Sequence, residues 1–391
     1  MHIAFYAPMK PPDDPRPSGD REVARHLLAA LAMGTGREVR LASRLSSYDG
    51  TGDGRCQERL ARAGRRRART LITQLRARPT AERPALWFTY HLYHKAPDWL
   101  GPPVAHALGI PYVVAEASHA KKQANGPWAP GYRASCAAIA AANLHFVLNP
   151  GDAGGLRQLI DEPTRLTPLP AFIDTDAFAR VRRDRAAHRA RAAQRLGLDP
   201  AATWLITVAV MRCGGKLRSY RLLAEALALM EAENGERDWR LIIVGDGPAR
   251  PAVEDAFRPL PPRRIVWLGE VERRRLPPLL AAADVFLWPA IDEPIGIAAL
   301  EAQAAGLPVV GGRRPGLATI VADGVTGLLP IGGDAGAFAA AVERLLDDPV
   351  LRRTMGLAAA ARAGARHGLA QGAAALARGL APLFPCGEKR P

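Results

Sequence analysis

Short apolar runs recur along the first half of the chain, at Ile3–Ala7, Glu38–Ala42, Leu86–Tyr90, Tyr112–Glu116 and Leu144–Leu148. Helical stretches such as Arg21–Ala32 and Pro97–Leu108 separate them. Strands alternating with helices predict βαβ units around a parallel sheet. The pattern then repeats, with strands expected at Trp204–Val210, Arg240–Val244, Arg264–Leu268, Val285–Trp288 and Leu307–Val310. The reading is an α/β protein of two tandem, doubly wound parallel-sheet domains facing across a cleft. A Pro-punctuated segment, Pro168–Asp174, and a charged helical stretch, Arg180–Leu196, separate the repeats, placing the hinge near Pro170. The expected domains are residues 1–170 and 171–365, with a helical tail, 366–391, packing back towards the first.

Length agrees with this division, since 391 residues exceed what one hydrophobic core usually supports. The chain is 48% hydrophobic, with its 37 Gly and 34 Pro spread along it, as in a globular enzyme with many turns. Met1–Pro8 reads as a first strand rather than a secretory signal, and no apolar run is long enough for a spanning helix. Cys56, Cys136, Cys213 and Cys386 form no CxxC pair, which suggests neither a zinc site nor a disulfide framework. Reduced thiols and the missing signal predict a cytoplasmic location. The net charge of +15 is carried mostly by Arg, and Arg59, Arg62, Arg65, Arg66, Arg67, Arg69, Arg76 and Arg78 are concentrated in one stretch. That stretch reads either as a solvated helix face or as an attraction to anionic lipid on the inner membrane surface. No aromatic residues interleave with it, so nucleic acid is not an expected partner.

The most informative segment is Asp292–Val310, which holds two glutamates, Glu293 and Glu301, with seven residues between them. Pro294 and Gly306 predict a helix start and stop. Backbone N–H groups of Ile295, Gly296 and Ile297 would be free there, a donor nest for hydroxyl or phosphate oxygens. Eight helical residues at about 1.5 Å each separate the glutamates by about 12 Å. A nucleotide sugar along the helix would offer sugar hydroxyls to Glu293 and ribose hydroxyls to Glu301, because carboxylates accept pairs of hydroxyl hydrogen bonds. The alternative is a helix-capping Glu293 and an exposed Glu301.

The segment resembles the signature of the retaining family 4 glycosyltransferases, also called group 1, close to E-P-x-G-x-x-x-L-E-A-x-A-x-G-x-P-V. Asp323-Gly324-Val325-Thr326-Gly327-Leu328-Leu329 is similar to the family's D-G-x-x-G-L-L continuation. The acid usually found before that continuation is missing from Arg313-Arg314-Pro315-Gly316-Leu317-Ala318. The resemblance implies the GT-B fold, two Rossmann-like domains, and a nucleoside diphosphate sugar as co-substrate with no cofactor and no obligatory metal. It implies that Arg212 and Lys216, after the strand ending at Val210, neutralise the donor diphosphate. It also implies that Gly245, in Gly245-Asp246-Gly247-Pro248, turns near the nucleotide base, and that Ser18 and Gly19 open a loop facing the diphosphate. An active-site histidine is implied at the end of an early strand, with His119 and His91 the candidates and Glu116 and Ser118 competitors at the first of these.

Two other motifs fail on spacing. Gly214-Gly215-Lys216 lacks the earlier glycine of a phosphate-binding Walker loop, and Gly245-Asp246-Gly247 lacks the third glycine of a dinucleotide fingerprint. Asp174-Thr175-Asp176 imitates a metal-binding D-x-D but sits in the interdomain connector.

The expected function is transfer of a sugar to a hydroxyl acceptor, such as a glycan or a lipid-linked cell-envelope precursor, with retained configuration. Rival readings are a GT-B phosphorylase, a nucleotide-sugar epimerase, or a non-catalytic donor-binding subunit.

Overall fold

The computed structural model describes residues 1–16 and 18–384; Pro17, Cys386 and the rest of the tail from residue 385 lie outside the described residues. The chain divides into two compact units, one of Met1–Pro170 together with the segment from Leu369 on, the other of Ala171–Gly368.

The first unit is built on a six-stranded parallel sheet in the order β2-β1-β3-β4-β5-β6. Its strands are β1 (His2–Tyr6), β2 (Val39–Ser43), β3 (Pro84–Leu92), β4 (Tyr112–Ala117), β5 (Leu144–Val147) and β6 (Leu166–Pro168). Residues of β1, β3 and β4 are buried nearly throughout, as in an interior strand covered on both faces. The Phe5 and Phe88 rings stack at 5.8 Å and tie β1 to β3. The helix Leu369–Leu380 packs on the helix Gly19–Thr35 within this unit. Contact is close enough that a Cβ at Gly34 would lie 2.2 Å from the Ala373 carbonyl oxygen. The expected 365/366 boundary falls inside the helix Pro349–His367, which belongs to the second unit.

The second unit has a six-stranded parallel sheet in the order β12-β11-β10-β7-β8-β9. Its strands are β7 (Thr203–Val208), β8 (Trp239–Val244), β9 (Ile265–Gly269), β10 (Val285–Trp288), β11 (Val309–Gly311) and β12 (Gly327–Leu328). The two-sheet α/β architecture is therefore as the sequence predicts. Edge strands β6 and β12, of three and two residues, were not predicted, because so few residues carry no periodicity.

Several boundaries move for local reasons. The expected helix Pro97–Leu108 begins at Gly101, because Asp98 accepts hydrogen bonds from the Leu100 and Gly101 amides at 2.8 and 2.7 Å and turns the chain first. The stretch Arg180–Leu196 is two helices, Thr175–Arg183 and Arg185–Leu196. The Asp174 carboxylate caps the first, accepting from the Asp176 and Ala177 amides, so the D-x-D is used as a helix start.

Candidate functional site

In the second unit the strand order reverses between β7 and β10, and open α/β sheets bind ligands outside the carboxyl ends of strands at such a point. The chain leaves β7 through Ala209–Gly214 and β10 through Pro289–Gly296, and the start of the helix after the first loop packs against the second. A Cβ on Gly215 would lie 2.5 Å from the Ile291 carbonyl oxygen, so glycine is required for this approach. The Ile291 amide donates to Ser219 Oγ at 2.9 Å, fixing the second loop to the helix Gly215–Glu233 that follows the first.

Lys216 stands in the first turn of that helix and forms an ion pair with Glu293. Trp288 Nε1 also donates to Glu293 Oε2 at 3.2 Å, and Lys216 Nζ lies 5.0 Å from the centre of the Trp288 ring. Arg212 is exposed, and its guanidinium has no partner among the described residues. The site thus joins an available cation, a part-buried Lys–Glu pair and an aromatic face.

The expected helix from Pro294 is not formed. Ala290 and Asp292 have φ of +57° and +54°, and Gly296 has φ +85°, so the chain kinks through Glu293 and the helix is only Ile297–Ala304. The left-handed turn at Gly296 is its N-cap. Glu293 and Glu301 therefore do not share one helix, and the helical spacing inferred for them does not apply. Ile297 is the first residue of the helix, while Ile295 and Gly296 precede it. The amides of Ile295, Gly296 and Ile297 nevertheless have no backbone acceptor among the described residues. Glu301 is 3% exposed rather than on an open face, and it forms an ion pair with Arg273 from the turn after β9. Nothing in the linear motif pointed to Arg273 or Trp288.

Gly245 (φ +139°) and Gly247 (φ +149°) fit the β8 loop against the β7 loop, where Cβ atoms would lie 1.9 Å from Ala209 O and 2.3 Å from Met211 O. Gly316, in the segment that lacks the acid, similarly lets the chain pass Pro294, whose carbonyl oxygen would be 1.8 Å from a Cβ. Asp323 of the D-G-x-x-G-L-L continuation accepts from the Leu329 amide at 2.9 Å and pairs with Arg313 at 2.5 Å, a turn-forming role.

In the first unit the order reverses between β1 and β3. Ser18 is the N-cap of the helix Gly19–Thr35, its hydroxyl accepting from the Arg21 amide at 3.2 Å. Gly19 begins that helix with open space around its Cβ position, so neither crowding nor backbone twist demands a glycine there. Asp20, the next residue, holds His91 Nδ1 at 3.0 Å. His91 and Glu116 both have left-handed backbones, φ +63° and +58°, a conformation that costs a non-glycine residue about 1–3 kcal/mol and is often found at functional sites.

Burial opposes charge on His91, but the carboxylates of Glu116 and Asp20, with Asp152, outweigh it and lift the imidazole to about 9. Burial pushes Glu116 above the ordinary carboxyl range, with His91 pulling the other way. His119 is engaged at both ring nitrogens, Nδ1 with the Gly155 carbonyl at 3.0 Å and Nε2 with the Tyr132 hydroxyl at 2.9 Å. It also stacks on Tyr132 at 5.6 Å. Of the two candidate histidines, His91 is the one with a ring nitrogen unpartnered among the described residues. The sequence alone identified neither Asp20 nor Asp152 as members of this group.

Among the described residues, no group of three or more His, Cys, Asp or Glu is arranged to hold a metal, and no helix is long and apolar enough to cross a membrane.

The family model for glycosyl transferases group 1 matches residues 204–348. A D-inositol 3-phosphate glycosyltransferase 2 from Catenulispora acidiphila is 34% identical over 196 residues, 48% of this chain and 44% of the relative. A D-inositol 3-phosphate glycosyltransferase from Acidothermus cellulolyticus is 31% identical over 294 residues, 71% of this chain and 61% of the relative. The chain thus spans between about half and three fifths of these relatives. Among solved structures, Anabaena Alr3699/HepE in complex with UDP and glucose aligns at TM-score 0.71 and 16% identity, covering 98% of this chain and 100% of that one. Sucrose-phosphate synthase from Thermosynechococcus elongatus aligns at TM-score 0.73 and 19% identity, covering 98% and 99%. At such identities the likeness is one of fold. Through the signature at Glu293–Val310 and the match over residues 204–348, the second unit carries a group 1 glycosyltransferase domain, and the chain has the GT-B fold.

Proposed function

We propose that the protein transfers a sugar from a nucleoside diphosphate sugar to a hydroxyl acceptor, with retention at the anomeric carbon and without an obligatory metal. The observation that carries this reading is the pairing of Lys216 with Glu293 at the carboxyl ends of β7 and β10, with Arg212 in the loop that leaves β7, inside the group 1 match. Arg212 offers a bidentate fork and Lys216 a point charge, and both matter most as negative charge develops on a departing diphosphate. Glu293 and the amides around Gly296 hold the sugar. Glu301, backed by Arg273, takes the ribose. With two cations supplied by side chains, the departing phosphate needs no metal for neutralisation, and it accepts the acceptor proton on the same face.

HepE is described in complex with UDP and glucose, which makes UDP the first nucleotide to try. The names of the relatives place an inositol phosphate among the acceptors to test, beside glycan and lipid-linked acceptors. We place the enzyme in the cytoplasm, where the basic helix Gly54–Arg76 draws it to anionic membrane.

The test is a thermal-shift series with UDP, GDP, ADP and their sugars, followed by NMR of the product formed with and without EDTA. A ligand that binds only the native state raises its apparent stability. We expect one nucleotide diphosphate to stabilise the protein and its sugar to be transferred with unchanged anomeric configuration in both conditions. The absence of stabilisation by every nucleotide, with no product, overturns the reading.

A further inference from the structure

The helix Gly54–Arg76, which follows β2, lies over the middle of the first sheet, where its Ala68 and Leu71 share one apolar cluster with Tyr6 of β1, Trp87 of β3 and Val114 of β4. The edge strand β2 is less covered, its residues half-buried or exposed up to Ser43 while all of β1 is buried. A cleft of about 560 Å³ opens between β2 and the near flank of this helix. Residues 41–45 form one wall, and Ala63, Arg66, Arg67 and Thr70, grouped on one flank of the helix, form the other.

The strand wall is bent. Phe5 pairs with Leu41 and Tyr6 with Ser43, so Ala42 is an extra residue in β2, and a bulge of this kind at a sheet edge re-aims the side chains beside it. Ser43 and Arg44 come directly after it. The Ser43 hydroxyl accepts from the Leu45 amide at 3.2 Å, while its own O–H meets no acceptor among the described residues. Arg44 donates to Asp13 through Nε alone, at 2.5 Å, so its two Nη groups have no partner among the described residues.

Charge in the cleft is one-sided. Arginines line it from both walls, and none of its lining residues is acidic. The guanidinium groups of Arg66 and Arg67 have neither an ion pair nor a hydrogen bond among the described residues, although Arg67 is half-buried. A partly buried cation without a partner has lost solvation that a bound anion restores.

We propose that this cleft is a binding site for a phosphate monoester, held by the guanidinium groups of Arg44, Arg66 and Arg67 with the Ser43 hydroxyl. Arginine's planar fork matches the oxygens of a phosphate, and its charge-assisted hydrogen bonds are stronger than neutral ones. The cleft is larger than a phosphate, and Leu41, Ala42 and Leu45 give it an apolar part for the group that the phosphate esterifies. The site lies within the first unit and goes beyond the transferase reading, on which it does not depend. It is also distinct from the outer face of the helix, where Arg62 and Arg69 are exposed and do not line the cleft.

A phosphate on a small soluble molecule and one on a lipid headgroup offer the same chemistry, so the experiment has two arms. In the first, inorganic phosphate and glycerol phosphate are titrated into isotope-labelled protein, and NMR follows the backbone amides of residues 41–45 and the Arg67 Nε–H, which report this cleft and no other anion site. The shifts should saturate, with Kd raised about tenfold or more in Arg67→Ala and changed less than about twofold when Arg62 and Arg69 are both exchanged for Ser. Arg66→Ala, at an exposed position, is the second variant if Arg67→Ala does not fold. In the second arm, wild type and Arg67→Ala are sedimented with phosphatidic acid vesicles. Saturable shifts with glycerol phosphate support the site with a soluble ligand; vesicle binding that needs Arg67, without such shifts, supports it with a headgroup. Equal weakening by Arg67→Ala and by the Arg62 and Arg69 exchange overturns the proposal, because the attraction is then diffuse. So does the absence of saturable shifts together with vesicle binding that ignores Arg67. Turnover enters neither arm, so a failure of the transferase reading leaves both outcomes intact.

Discussion

The carboxyl edges of the two sheets solve different electrostatic problems. In the second unit an exposed Arg212, unpartnered among the described residues, lies in the loop just before Lys216, whose partner Glu293 is only part-buried, so positive charge is available to an incoming anion. In the first, His91 is enclosed by Asp20, Glu116 and Asp152, so its charge is already balanced by protein carboxylates. The first arrangement suits charge that appears during reaction; the second suits neutral hydroxyls held throughout. One fold repeated twice therefore does not repeat its chemistry, because the strand ends supply position and the loop residues supply charge.

The largest effect should come from removing the available cations. Arg212→Ala or Lys216→Ala should lower turnover by more than about 100-fold, or about 2.7 kcal/mol of barrier, through loss of preorganised positive charge. Initial rates with the donor check this, and circular dichroism should show an unchanged fold, since Arg212 is exposed. Near-normal rates in both variants would erase the contrast between the two edges.

That contrast also explains what the sequence revealed. Lys216, Glu293 and Glu301 were legible because one short segment and one strand end carry them. The kink through Ala290, Asp292 and Gly296 was not, since a Pro followed by apolar residues reads as a helix start whichever way the preceding residues turn. Nor was the partnership of Glu301 with Arg273, which depends on how two loops meet. In the first unit Asp20, His91, Glu116 and Asp152 come from four separate parts of the chain: the sheet register sets His91 beside Glu116, while a helix start and the turn after β5 bring Asp20 and Asp152 to them. The eight interior strand runs stood out by their apolar pattern, whereas the edge strands β6 and β12 are too short to show one.

A smaller effect should separate the two glutamates of the second unit. The linear motif predicts that Glu293 touches only the sugar, so that Glu293→Gln leaves nucleotide diphosphate affinity unchanged. The ion pair with Lys216 alters this expectation, because losing the carboxylate releases the ammonium for the diphosphate. Glu293→Gln should therefore raise nucleotide diphosphate affinity by about fivefold, near 1 kcal/mol, while turnover of the donor falls. Glu301→Ala should act in the opposite direction, weakening the nucleotide and leaving Arg273 without its buried partner. Isothermal titration with the product nucleotide distinguishes the two, and changes of the same sign in both variants would contradict the separate assignments.

The smallest effect concerns a surface that belongs to neither strand edge. The helix Gly54–Arg76 buries Gln57, Ala61, Gly64, Ala68 and Leu71, spaced three and four apart, as a single stripe against its own unit. Arg55, Arg59, Arg62, Arg66 and Arg69 project from the opposite face, all exposed. Such a face adds about 1 kcal/mol of attraction per basic residue to an anionic bilayer at low salt, and the Debye length of about 8 Å at physiological ionic strength limits its reach. Sedimentation with phosphatidylglycerol vesicles should show binding that fades as salt is raised and is absent with phosphatidylcholine. Exchanging Arg62, Arg66 and Arg69 for Ser should abolish the binding while leaving turnover of a soluble acceptor nearly unchanged, because these residues touch neither strand edge's charged group. Binding indifferent to lipid charge and salt would make the arginines a solvated face only, and equal loss of soluble turnover would tie the helix to catalysis instead.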